Sequence, residues 1–335
     1  VLRKPETVKI FVTGPDGLLG SNLVRELLSR GHEVQVLVQA GRHVSTLDGL
    51  DIQKVEGDLL NYDSLLKAAQ GAEAIYHLAA STSIWPSRDP FVRKVNVEGT
   101  VNMLKVAKAL NVKRFIHCGT ANTFSFGDRE NPGVEDTPYT GAHYGLTYMD
   151  SKMEAHHKVM EAVKEGLPAL VVNPTFMIGP YDSTPSTGAM IMGVASGKVK
   201  GYAPGGRNFI YVKDAAIGMA NALEKGRIGE SYIIGHENLN YKEAFTRFAK
   251  VFDIPPPQRA APGWLLKTVG FVLQTVGKIT GKKPLLTYPM AKISCDEHFF
   301  TAAKAVKELD LPQTPIEIGV KESIDWLTEN GYFKK

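Results

Sequence analysis

Tyr148 and Lys152 stand four positions apart in Tyr148-Met149-Asp150-Ser151-Lys152. On a helix that spacing puts both on one face, so the Lys152 ammonium can lie near the phenol and stabilise its phenolate. A phenol held this way both gives and takes a proton. A third group must then hold the oxygen of the reacting molecule. Thr120 offers a hydroxyl just past the end of the apolar run Arg114-Phe115-Ile116-His117-Cys118, where open α/β sheets place their ligands. A Tyr and a Lys at this spacing also occur on ordinary solvated helices, so the assignment needs independent support. Tyr144 is followed four residues later by Tyr148 and not by Lys, which makes it the weaker acid.

That support lies upstream. Thr13-Gly14-Pro15-Asp16-Gly17-Leu18-Leu19-Gly20 follows an apolar run, Val8 to Val12, and opens a segment with helical apolar spacing. Gly14 would permit a tight turn, Gly17 the close approach of backbone to a pyrophosphate, and Gly20 the packing of helix on sheet. Leu18 and Leu19 begin the helix whose N-terminus would face the phosphates. This setting predicts a dinucleotide site. A carboxylate ending the second strand would hydrogen-bond the ribose of NAD, but Gln39 stands there, with Glu33 too early and Asp48 too late. Arg42 and His43 could face a 2′-phosphate, so NADP(H) is favoured and NAD(H) stays open. Asp58, with Leu59 after the third strand, is a candidate acceptor for the adenine edge, although Asp often just begins a turn.

These residues need a scaffold. Val8–Val12, Glu33–Val38, Ile52–Val55, Ala74–Leu78, Arg114–Cys118 and Ala169–Val172 read as strands. Helical patterns over 18–30, 62–70, 92–110 and 148–166 alternate with them. Buried strands alternating with helices predict a doubly wound parallel sheet, an α/β Rossmann fold, with a smaller, mostly helical C-terminal substrate lobe. The expected division is 1–173 and 208–235 for the nucleotide domain, with 174–207 and 236–335 for the lobe. In the lobe segments three stretches read as short helices. Phe209–Val212 and Ser231–Ile234 read as strands that could return to the main sheet. The Gly- and Pro-rich stretch 124–143 interrupts the alternation, and loops of that length are usually functional or mobile.

Composition limits the alternatives. The chain has 335 residues, 43% hydrophobic and 22% charged, as expected of a folded globular enzyme. A net charge of +4 leaves no footprint for nucleic acid. Two cysteines, Cys118 and Cys295, suggest a reducing compartment, and no run reaches the ~18 apolar residues of a membrane span. The default expectation is therefore a soluble, cytoplasmic protein. No metal site is expected: the adjacent His156 and His157 diverge on a helix and read as partly exposed, and His117 and Cys118 read as strand core. Trp264 to Ile279 carries an apolar stripe that reads first as core or lid packing, with membrane-surface contact as the minor alternative. Together with Trp85, Phe124, Phe126 and Phe176 on loops, it hints at an apolar small-molecule substrate.

Taken with Gly57-Asp58-Leu59, His77-Leu78-Ala79-Ala80, Val95 to Thr100, Asn173-Pro174-Thr175 and Val212 to Ala216, these motifs resemble those of the extended short-chain dehydrogenase/reductases over almost the whole chain. Within that superfamily the chain is most similar to hopanoid-associated sugar-epimerase-like, dihydroflavonol 4-reductase and 3β-hydroxysteroid dehydrogenase types. The resemblance implies that Leu78, Ala79 and Ala80 line the cofactor, that Pro174 and Thr175 flank the nicotinamide, and that Asn96 supports the active-site helix. It also implies a homodimer, and Arg207 resembles an Arg that touches the nucleotide in sugar-nucleotide epimerases. Gly119-Thr120 departs from the family's Ser-Ser, leaving the hydroxyl role to Thr120, and reductase relatives often carry Arg where Gln39 stands. The activity expected is interconversion of a secondary alcohol and a ketone. A nucleotide-sugar epimerase or dehydratase with tightly held NAD+, and a non-enzymatic NADP(H) sensor, are the alternatives.

Overall fold

The computed structural model describes residues 7–42 and 44–334. Seven parallel strands form the main sheet: β1 (Lys9–Thr13), β2 (Glu33–Val38), β3 (Gln53–Glu56), β4 (Ala74–His77), β5 (Arg114–Cys118), β6 (Ala169–Pro174) and, much later, β10 (Ser231–Ile234). Their spatial order is β3-β2-β1-β4-β5-β6-β10. The chain works outward from β1 in one direction and then reverses at β4, so a crevice opens beyond the carboxyl ends of β1 and β4. Helices α1 (Leu18–Ser29), α2 (Tyr62–Ala68), α3 (Pro90–Arg93), α4 (Gly99–Ala109) and α5 (Thr147–Lys164) supply the crossovers.

Alternation along the strands separates two cores. Ile10 and Val12 pack beneath α1 on one face with Leu23, Leu27 and Met219, while Phe11 and Ile75 face α2 and α4 on the other with Leu65 and Met103. Both faces are apolar because both are covered, the pattern of a parallel sheet.

The rest of the chain builds β7 (Phe176–Ile178), α6 (Thr187–Ala195), β8 (Gly201–Tyr202), β9 (Gly206–Tyr211), α7 (Val212–Asn221), β11 (Glu237–Asn240), α8 (Tyr241–Val251), β12 (Arg259–Ala260), α9 (Gly263–Thr280), α10 (Tyr288–Ile293), β13 (Glu297–His298), α11 (Ala303–Leu309) and α12 (Ile316–Glu329). Two expectations divide here. Ser231–Ile234 does return to the main sheet, pairing with β6. Phe209–Tyr211 does not. It belongs to β9, the spine of a second sheet that pairs with β11, β13 and β7. Its run is apolar because Phe209 lies in a third core with Phe245, Phe248, Val320 and Ile324. In place of the three short helices expected, the lobe segments hold six helices among the described residues, and α9 and α12 are long.

Two further expectations are corrected. The apolar stripe of α9 is not core: Trp264, Leu265, Val269, Phe271, Val272, Val276 and Ile279 are exposed, and only Gly270 and Gly277 of that helix are buried. His156 is buried, not partly exposed, because β10 covers it: Ser231 Oγ lies 3.2 Å from its Nε2.

Candidate active site

Two glycines of the loop meet steric demands within the fold, and a third leaves open space. Gly14 has φ +69, and a Cβ there would meet the Ala79 backbone nitrogen at 2.6 Å. A Cβ at Gly20 would stand 2.1 Å from the Gly14 carbonyl oxygen, so α1 seats on the loop only because residue 20 has no side chain. Gly17, the N-cap, has only that same oxygen near it, at 3.7 Å. No side chain caps α1 and no acidic residue occupies its first turn. The first turn of α1, including Leu18, Leu19 and Gly20, therefore leaves N–H groups and the positive end of the helix dipole for an anion. These features fit a dinucleotide pyrophosphate.

The crevice is stitched by Thr13, whose hydroxyl sits 2.8 Å from His77 Nδ1 and accepts from the Ala79 N–H at 3.2 Å. Leu78, Ala79 and Ala80 follow β4 at half-buried positions along this edge. Pro174 ends β6, and the Thr175 N–H donates to the Ile234 carbonyl at 3.0 Å. Gln39 and Arg42 are exposed beyond β2, and the Arg42 guanidinium pairs with Asp16 of the glycine loop at 2.7 Å. His43 lies outside the described residues. Asp58 turns out to hold its own loop, accepting from the Leu60 N–H at 2.9 Å, while Leu59 packs where a Cβ on Gly99 would stand 3.3 Å away.

Tyr148 and Lys152 both lie in the first half of α5. Thr120 follows β5 and caps the short turn Ala121–Thr123, its hydroxyl accepting from the Asn122 N–H at 3.4 Å. Burial and then the neighbouring Cys118 thiol push the Tyr148 phenol up to about 12, while the nearby Thr120 side chain pulls the other way. Lys152 is buried and donates to the Cys118 carbonyl at 2.5 Å. Its burial lowers its pKa. In this geometry the ammonium is committed to β5 and not to the phenol.

Asn96 ties α5 to the crevice. It sits in a π-helical turn, Lys94–Glu98, between α3 and α4, and such insertions are frequent at functional sites. Its Oδ1 accepts from the Ser81 N–H at 2.7 Å, and its Nδ2 donates to the Ser81 carbonyl at 3.0 Å and to Ser151 Oγ at 2.9 Å. Ser151 directly precedes Lys152, so one buried amide spans the loop after β4 and the helix with the Tyr/Lys pair.

Trp85, Phe124 and Phe176, the weaker acid candidate Tyr144 and the nucleotide-contact candidate Arg207 fall in different surroundings. Trp85 rests against α9, its ring 3.2 Å from where a Cβ on Gly277 would stand. Phe124 is buried with Ala121, Ile233 and Phe300, and its ring meets His156 edge-on. Phe176 packs edge-on against Phe209 in the third core. Tyr144 donates to Asp296 Oδ2 at 2.5 Å and lies 3.2 Å from His298 Nε2; burial and then Asp296 raise its pKa. Arg207 donates to the Gly206 and Ile293 carbonyls. Sequence reading missed Asp296, His298 and Asn122, whose Oδ1 lies 3.1 Å from His298 Nδ1. They come from segments more than 150 residues apart, with no local pattern to announce them. Next to Tyr148 the wall is apolar: Ile84, Phe126, Tyr139, Met290 and Ile293 share its cluster.

A reversing parallel sheet with an uncapped, glycine-led helix at its crevice defines a dinucleotide-binding α/β protein. A model of the NAD dependent epimerase/dehydratase family matches residues 10–235, and the chain belongs to that family. It is an NAD(P)-dependent enzyme of the extended short-chain reductase and dehydrogenase type. A Synechocystis sp. protein provisionally named a dihydroflavonol 4-reductase is 32% identical over 331 residues, spanning 97% of this chain and 96% of that protein. Sterol demethylase protein B of Methylococcus capsulatus is 29% identical, spanning 96% and 98%. The crystal structure of gox2253 superposes with a TM-score of 0.85 at 32% identity, covering 98% of this chain and all of that one.

Proposed function

We propose that the protein reduces a ketone to a secondary alcohol, and catalyses the reverse, on an apolar small molecule, with Thr120, Tyr148 and Lys152 as its catalytic groups. The observation that carries this reading is the convergence of three groups: Thr120 just past the end of β5 and near enough to Tyr148 to lower its pKa, Tyr148 on α5, and buried Lys152 one turn further along that helix. A bound nicotinamide would supply or accept the hydride. The rest is done by the chain. Thr120 holds the carbonyl oxygen, and Tyr148, kept protonated by its raised pKa, donates a proton to that oxygen as charge develops on it. Turned from the Cys118 carbonyl towards the phenol, the Lys152 ammonium would stabilise the phenolate, which matters most for alcohol oxidation, where Tyr148 must act as the base.

NADP(H) is the favoured cofactor. No carboxylate ends β2, and Arg42 stands beside Gln39 at that position, its Nη1 3.5 Å from Gln39 Oε1. The apolar wall of Ile84, Phe126 and Met290 next to Tyr148 supports an apolar substrate, as do a reductase and a sterol-processing protein among the relatives.

The test is turnover with NADPH and NADH against a panel of cyclic and aromatic ketones, alongside mass spectrometry of whatever nucleotide copurifies. Exchangeable NADPH and ketone reduction support the reading. Tightly retained NAD+ with activity only on nucleotide sugars would replace it by an epimerase, and cofactor binding without any turnover by a sensor.

A further inference from the structure

We propose that α9 and the loop after it dock the protein on an anionic lipid surface. Among the described residues the exposed apolar face of α9 belongs to no core cluster, although Phe271 at its edge meets the Tyr288 ring edge-on. Leu265, Val269, Val272, Val276 and Ile279 recur at alternating four- and three-residue steps, and Trp264 and Phe271 lie on the adjoining stripe. Trp264 is 71% exposed and Ile279 81%, while Leu285, in the loop beyond, is 98% exposed. A contiguous apolar surface of this kind marks an interaction site.

Charge identifies the occupant. Residues 254–295 contain no Asp or Glu but carry Arg259, Lys267, Lys278, Lys282, Lys283 and Lys292. Lys267 and Lys278 border the apolar arc, and Lys282 and Lys283 stand just before Leu285; none of these four forms an ion pair among the described residues. An amphipathic helix with Trp, Phe and Leu on one face and lysines along its border is built to lie in a bilayer interface next to anionic headgroups. A second copy of the chain fits less well. Two-fold pairing sets a patch against itself, and segment 254–295 offers the lysines of a second copy no Asp or Glu to meet. The face is also wider than a coiled-coil seam. No helix among the described residues is long and apolar enough to cross a membrane, so α9 lies on the surface.

The buried side of α9 leads to the site. Gly270 fits against Thr287 and Ala291 of α10, and Gly277 against Trp85. Met290 and Ile293 of α10 pack in the Tyr148 cluster, and the Ser87 carbonyl, two residues after Trp85, accepts from the Thr147 N–H at 2.9 Å. A docked α9 would thus bring this wall of the site close to the lipid. The docking itself does not depend on the proposed chemistry.

The test is flotation of the full chain with vesicles of phosphatidylcholine alone or mixed with phosphatidylglycerol, with light scattering to read the oligomeric state. The wild type should float with the mixed vesicles, weakly with phosphatidylcholine alone, and less as salt is raised. Lys278→Glu with Lys282→Glu and Lys283→Glu should weaken binding about a hundredfold or more. Val272→Glu with Ile279→Glu should abolish it while leaving the circular dichroism spectrum intact, since both side chains are exposed. Three results would overturn the proposal: no flotation with either vesicle, flotation untouched by both variants, or a dimer that Val272→Glu with Ile279→Glu dissolves.

Discussion

Gly119 and Asn173 meet so closely between β5 and β6 that a Cβ on residue 119 would stand 2.0 Å from Asn173 Oδ1. This explains the departure from the family's paired serines: the first of the two positions has no room for a side chain, and Thr120 alone carries the hydroxyl. Gly119→Ser should therefore cost about 1–3 kcal/mol through overpacking and displace Thr120, lowering kcat. Adding Asn173→Ala should restore part of both. Denaturant titration and steady-state kinetics on the single and double variants check this, and a fully tolerated Gly119→Ser would contradict it.

Asn96→Ala should release two connections at once, to the loop at Ser81 and to Ser151 beside Lys152. The lost hydrogen bonds leave buried partners unsatisfied, at about 1–3 kcal/mol. The expected result is a lower Tm together with a fall in kcat larger than the change in KM, because α5 loses its alignment and the cofactor crevice keeps its glycines.

How far the sequence could be read depended on distance along the chain. The placement of Tyr148 and Lys152 on one helix and the strand-turn-helix setting of the glycines are local, fixed by one helix and one turn, and were legible, whereas the Lys152 ammonium turning to the Cys118 carbonyl was not. The assignment of β9 was not, because an apolar run shows burial but not which sheet buries it. Periodicity likewise exposed the stripe on α9 without showing whether anything covers it. His156 was misjudged because its cover, Ser231 on β10, lies 75 residues away. The Tyr144, Asp296 and His298 group depends on β13 arriving beside the 141–144 turn, a purely tertiary event.

Acid should unfold the protein in a window set by its buried imidazoles. Burial, then Lys152, lower His77 from 6.5 to about 3; burial, then His157, lower His156 from 6.5 to about 4. The folded state resists protonation that the unfolded chain accepts, so the unfolded state binds more protons below about 6.5. Stability is then full above that pH and falls as pH drops towards 4, with a slope of about 1.4 kcal/mol per pH unit for each such group. His156→Gln should remove one group's share of the slope. Urea midpoints measured across this range give the difference between variant and wild type directly.

Arg42→Ala should separate the two cofactors. If the guanidinium meets the 2′-phosphate, KM for NADPH rises about tenfold or more while that for NADH stays within about twofold. Equal effects on both would show that Arg42 serves only its pair with Asp16.

In the proposed reaction the Tyr148 phenol passes the proton. The most direct measurement is single-turnover ketone reduction by Tyr148→Phe in the presence of saturating NADPH. Cofactor affinity should be unchanged and the chemical step slowed by about 10²–10⁴-fold. A variant reducing ketone within a few-fold of the wild-type rate would contradict it.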